Sequence, residues 1–167
     1  PGSRAETYAA LRMGVDNWRW AGVPFYLRTG KRLARRVSEI AIRFHRTPHM
    51  IFRRAPAGVD PNVLVIRIQP DEGIALTVQA KRPGPDMPLG PVTLDFDYRE
   101  QFGGESPEAY ERLLLDAIHG DATLYARGDW VELAWQTLTP VLEAWQADTT
   151  SPIPTYDAGS WGPSEAD

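Results

Sequence analysis

Seven residues, Gly30-Lys31-Arg32-Leu33-Ala34-Arg35-Arg36, bring four cations into one short segment. Lysine and arginine bind phosphate dianions through charge-assisted hydrogen bonds, lysine as a point charge and arginine as a planar fork. Lys31 and Arg36 are five residues apart, which on a helix would separate them by about 140°. A turn or loop could make them converge. Spacing alone does not choose them over Arg32 and Arg35, and without further information the segment reads as a solvated basic patch. Gln69, at the end of the run Val65-Ile-Arg-Ile-Gln69, offers a neutral donor and acceptor, or simply a solvent-facing polar residue on a strand.

Other chemistry is sparse. The chain has three histidines and no cysteine, so disulfides and thiolate metal sites are excluded. His45 and His49 flank Pro48 at a strand end, where i, i+4 spacing does not gather two ligands as it does on a helix. His119 falls at a helix C-terminus, where its charge suits the dipole. No G-x-G-x-x-G turn is present to cradle a dinucleotide. The residues therefore predict no catalytic, cofactor-binding or metal-binding group in this chain.

Charge is distributed unevenly. Residues 1–60 carry twelve Lys/Arg against four acids, while the remainder carries six against eighteen, within a net charge of -4. The positive first third suggests an anionic partner, or basic and acidic faces that pair across a homo-oligomer. The acidic remainder and the lack of a basic-aromatic repeat argue against nucleic acid. No apolar run approaches a membrane span, and no signal segment opens the sequence, so a cytoplasmic protein is expected. A length of 167 residues is enough for one domain with a hydrophobic core.

The elements that must position the basic turn follow from periodicity. Residues 6–16 lean toward strand, with Gly14 as a break. Trp18 and Trp20, at i and i+2, read as sharing a strand face. Val23–Arg28 is a short strand, ended by Thr29-Gly30. Val37–Phe44 alternates Ile40, Ile42 and Phe44 against Glu39, Ala41 and Arg43. Val63–Gln69 and Ile74–Ala80 alternate similarly and form a hairpin around Pro70–Gly73, and Val92–Tyr98 is a further strand. Two helices follow. The first is capped by Ser106, with Pro107 at its first position and Gly120 at its end. The second starts at Asp129 with Glu132 in a capping-box-like pair, and Pro140 should kink it. Residues after Thr149 read as an irregular tail. The expected fold is α+β: a largely antiparallel sheet of about six or more strands with C-terminal helices packed on it.

The string Asp16-Asn-Trp-Arg-Trp-Ala-Gly-Val-Pro-Phe-Tyr-Leu-Arg-Thr-Gly-Lys31 resembles the glucose-6-phosphate dehydrogenase family. The resemblance continues through Val65-Ile-Arg-Ile-Gln-Pro70, Pro107-Glu-Ala-Tyr-Glu-Arg-Leu-Leu-Leu-Asp116, Ile153-Pro-Thr-Tyr156 and Gly159-Ser-Trp-Gly-Pro-Ser-Glu-Ala-Asp167. It implies the C-terminal, substrate-binding and dimerisation domain (residues 1–167) of an enzyme of the oxidative pentose phosphate pathway. That enzyme converts D-glucose 6-phosphate and NADP to 6-phospho-D-glucono-1,5-lactone and NADPH. By the resemblance, Lys31 and Arg36 contact the phosphate and Gln69 is a third substrate contact. The family's base, a histidine paired with an aspartate, and its dinucleotide-binding domain lie upstream, so the chain alone is expected to be inactive. Eukaryotic members carry a second, structural NADP. Arg28 and Arg67 match two of its contacts, but Val37, Ala41 and Trp161 replace three of its cations, which implies no tight NADP site here. A homodimer is expected. The alternative reading is a stand-alone sugar-phosphate-binding or dehydrogenase-partner module.

Overall fold

The computed structural model describes residues 3, 5–49, 59–85, 88–103 and 109–166. Its elements are β1 (Tyr8–Met13), β2 (Phe25–Gly30), β3 (Ser38–Arg43), β4 (Val63–Gln69), β5 (Gly73–Lys81), β6 (Leu89–Asp97), α1 (Tyr98–Phe102), α2 (Ala109–His119) and α3 (Gly128–Ala147). The fold is α+β with antiparallel strands, as expected. The six strands fall into two sheets, β1-β2 and β3-β4-β5-β6, where one had been anticipated. The chain divides into two compact units, Pro1–Arg35 with Pro107–Asp167, and Arg36–Ser106.

The second unit is a meander. Register places Ile40 opposite Ile66, Ile66 opposite Ile74 and Ile74 opposite Phe96. Ile42, Leu64, Leu76 and Leu94 form the next row. Because strand side chains alternate, one face of all four strands is apolar, and Glu39, Arg67, Thr77, Thr93 and Asp95 fall on the other. On that polar face Arg67 makes a bidentate pair with Asp95 at 2.8 and 2.9 Å, and also donates to the Phe96 carbonyl at 3.1 Å. Its guanidinium crosses directly over Gly73, where a Cβ would stand 2.3 Å from Nη2 and 2.4 Å from the Phe96 carbonyl oxygen. Glycine is required at that position by close approach. The Asp95 partnership raises the Arg67 pKa, and the same hydrogen bonds hold the Asp95 carboxyl below the usual carboxylate range.

Tyr98 ends no strand. It opens α1, because Asp97 caps the turn by accepting from Arg99 N–H and Glu100 N–H. Residues 17–22 are turns, not strand. The Asn17 Oδ1 accepts from Arg19 N–H at 3.0 Å and Trp20 N–H at 2.9 Å, and its carbonyl accepts from Ala21 N–H at 2.9 Å. These bonds outcompete strand pairing. Trp18 is fully exposed, while Trp20 sets its ring edge-on to Phe25 at 5.5 Å. Asp129 is not the N-cap of α3. It lies in the first turn and pairs with Arg127 at 2.7 Å, the residue that occupies the cap. The helix continues through Pro140 to Ala147. Ser106 and Pro107 lie outside the described residues, whereas His119 does end α2 and Gly120, at φ +73°, terminates it.

The hydrophobic core expected from length is not present among the described residues, where no apolar side chain is fully buried. Ile40 is 50% exposed and Leu94 59%, both on the apolar face of the larger sheet. Leu114 and Ile118 on α2 and Leu133 on α3 are exposed as well. The amphipathic patterns are real, but their apolar faces are not fully covered among the described residues. Asp116 is the one buried charged residue described, 3% exposed and paired with Arg112 one helical turn earlier.

Candidate anion-binding turn

Lys31 follows the last residue of β2 in the first unit. Its N–H donates to the Thr7 carbonyl at 2.8 Å, extending the β1-β2 ladder by one bond. Its carbonyl accepts from the Tyr156 hydroxyl at 2.7 Å, and the same hydroxyl lies 3.0 Å from the Thr7 carbonyl. Its side chain is exposed and makes no hydrogen bond or ion pair among the described residues.

The next residues are held from the C-terminal tail. The Arg32 carbonyl accepts from Gly159 N–H at 2.8 Å, and Ala34 N–H donates to the Ser160 carbonyl at 2.9 Å. Arg32 has φ +52°, a left-handed conformation that costs a side-chain-bearing residue about 1–2 kcal/mol. The Arg35 guanidinium lies over the Trp161 ring, 5.9 Å from its centroid. Tyr8 completes the cluster. Its ring meets Tyr156 at 5.5 Å, and a Cβ at Gly162 would lie 2.4 Å from its Cε2. Glycine at 162 is therefore dictated by both the ring contact and its φ of +116°.

Arg36 begins the second unit and is exposed. Gln69 closes β4 in that unit and donates through Nε2 to the Ser38 hydroxyl at 3.1 Å across the β3-β4 pair. Sequence spacing could not rank the four cations. Arg35 stands apart from Lys31 because it is already engaged with an indole. Of the three residues expected at the site, Lys31 therefore belongs to one unit, and Arg36 and Gln69 to the other.

The tail residues were not singled out by chemistry in the sequence. Main-chain groups of Gly159 and Ser160 carry no side-chain signature, and a tail rich in proline and glycine reads as irregular. The available signal was Tyr156, an amphipathic side chain whose hydroxyl seeks a partner when its ring is packed. Beside this cluster lies a cavity of about 380 Å³ lined by Glu6, Tyr8, Trp145, Asp148, Ile153 and Tyr156 among others. It does not include Lys31, Arg36 or Gln69. At its rim, hydrogen bonds from Ser151 and Thr150 hold Asp148 well below the ordinary carboxylate range. The described residues contain no cluster of histidine and carboxylate ligands able to hold a metal ion. No described helix is long and apolar enough to cross a membrane.

Fold and turn together define an α+β, antiparallel-sheet domain that presents an exposed lysine, uncommitted among the described residues, on a tail-braced basic turn. The profile of the glucose-6-phosphate dehydrogenase C-terminal domain matches residues 1–167, and the chain belongs to that family. It is 49% identical over 165 residues to the glucose-6-phosphate 1-dehydrogenase of Rhizobium meliloti, covering 98% of this chain and 33% of that protein. It is 50% identical over 169 residues to the Treponema pallidum enzyme, again covering 33% of it. Among solved structures, the Mycobacterium avium enzyme superposes with a TM-score of 0.81 at 41% identity, over 99% of this chain and 34% of that one. A glucose-6-phosphate dehydrogenase in complex with glucose-6-phosphate superposes with a TM-score of 0.82 at 37% identity, over 95% of this chain and 32% of that one. The chain thus spans about a third of the length of these relatives, which are dehydrogenases.

Proposed function

We propose that this chain supplies sugar-phosphate recognition and a dimer interface to a glucose-6-phosphate dehydrogenase. In that reaction, C1 of D-glucose 6-phosphate loses hydride to NADP and its hydroxyl loses a proton, giving 6-phospho-D-glucono-1,5-lactone and NADPH. This is the entry step of the oxidative pentose phosphate pathway, in the cytoplasm. Lys31 and Arg36 neutralise the phosphate, and Gln69 hydrogen-bonds the substrate. The chain contributes no base and no dinucleotide cradle, so both come from residues beyond these 167. NADP, when bound, supplies the hydride acceptor.

The observation that carries this reading is Lys31: a family member's lysine, exposed and unpaired among the described residues, on a turn whose backbone is fixed. A full ammonium charge carried on a held backbone is suited to an anion because the main chain needs no further ordering on binding. The residues do not fit a second NADP. Arg67, which matches one of its contacts by resemblance, is committed to Asp95 in bidentate geometry, and Trp161, which replaces a cation, is covered by Arg35. For the dimer, the supporting feature is the uniformly apolar face of β3-β4-β5-β6, which suits a second copy because a two-fold interface needs one self-complementary patch.

Turnover tests the proposal. The full-length dehydrogenase carrying these residues should form NADPH from glucose 6-phosphate and NADP, whereas residues 1–167 alone should form none. Sustained turnover by residues 1–167 would contradict it.

A further inference from the structure

Residues 156–161 grip the basic turn at every residue from Lys31 to Arg35 except Leu33. Tyr156 holds the Lys31 carbonyl, Gly159 the Arg32 carbonyl, Ser160 the Ala34 N–H, and Trp161 the Arg35 guanidinium. Three of these four contacts engage main chain, so they fix backbone direction and leave the Lys31 side chain untouched. The fourth withdraws a competing cation. The turn also contains a left-handed Arg32, a conformation that a free loop would relax.

We propose that Tyr156 is a positioning residue for substrate phosphate binding, acting through Lys31. The inference rests on the assignment of Lys31 above and deepens it. The Tyr156 hydroxyl sits between the carbonyls of Thr7 and Lys31, the two residues whose Lys31 N–H to Thr7 carbonyl bond extends the β1-β2 ladder. It clamps the point where the lysine leaves the sheet. Without it, the Lys31 carbonyl turns to water and the ammonium samples positions away from the anion. The ring still packs on Tyr8, so Tyr156→Phe removes the clamp and little else.

The test uses the full-length dehydrogenase with Tyr156→Phe, Lys31→Ala and the double variant. Loss of one neutral hydrogen bond predicts a rise in KM for glucose 6-phosphate of about 3- to 10-fold in Tyr156→Phe. The KM for NADP and kcat should stay within about 2-fold of wild type. In the Lys31→Ala background, Tyr156→Phe should cost no more than about 1.5-fold, because the group it positions is gone. An unchanged glucose 6-phosphate KM in Tyr156→Phe, with Lys31→Ala impaired, overturns the clamp and leaves the Lys31 assignment standing. Equal losses in the KM for both substrates, or full additivity in the double variant, also overturn it, since both mark a general structural role. An unimpaired Lys31→Ala removes the assignment itself and the clamp with it.

Discussion

The two units of this chain reach order by opposite routes. The β3-β4-β5-β6 unit is a sequential meander in which each strand pairs with its neighbours in the chain. The basic turn is instead held from far away: the Tyr156 hydroxyl bonds the carbonyls of Lys31 and Thr7, 125 and 149 residues distant. Neighbouring strands pay little loop-closure entropy, so alternation alone can encode them. A turn held by a distant tail carries no such local record. The difference predicts that changes to the meander's apolar face and strand packing will alter assembly and stability, while loss of the tail's hold on Lys31 will alter substrate affinity.

The largest effect should come from charging the apolar face of the meander. In the full-length protein, Leu94→Lys buries an unpaired ammonium in the proposed interface and should raise the dimer dissociation constant by about 100-fold or more. Analytical ultracentrifugation reads this directly, and an unchanged dimer would move the interface elsewhere. Gly73→Ala comes next. The new methyl meets the Phe96 carbonyl, which is main chain and cannot swing aside, so stability should fall by about 1–3 kcal/mol with the KM for glucose 6-phosphate unmoved.

Asp95→Asn tests the electrostatics of the same unit. The Asp95 pKa is depressed in the folded state, first through its hydrogen bonds with Arg67. Its contribution to stability is therefore present above the unfolded carboxylate pKa and lost as pH falls through the folded value. Asp95→Asn should lower Tm near neutrality and flatten the acid side of the Tm–pH curve. A parallel, merely displaced curve would show that Asp95 does not titrate in this way. The smallest effect belongs to the turn. Arg32→Gly removes the left-handed strain at the cost of a more flexible unfolded chain, for a net gain of about 0.5 kcal/mol. If the tail holds the turn, the KM for glucose 6-phosphate should not change with it.

These contrasts explain what could be read in advance. The apolar rows through Ile40, Ile66 and Ile74 were visible as alternation, and their register agrees with it. Helix α1 was missed, although Asp97 followed three residues later by Glu100 is a capping pattern. The tryptophans at 18 and 20 were misread because the Asn17 side chain, not hydrophobic period, decides that segment. At the candidate site, residue type exposed the cluster of cations but not their ranking. That ranking depends on Trp161 covering Arg35 and on main-chain bonds from Gly159 and Ser160, none of which leaves a spacing signal near residue 31. Likewise, alternation announced apolar faces without saying that the described residues leave them partly exposed.

We propose above that Lys31 holds the substrate phosphate. The most direct test is calorimetric titration of glucose 6-phosphate into the full-length dehydrogenase and its Lys31→Ala variant. Loss of one charge-assisted contact should weaken binding by about 10- to 100-fold. Equal dissociation constants for the two proteins would contradict the claim and return the turn to a solvated basic patch.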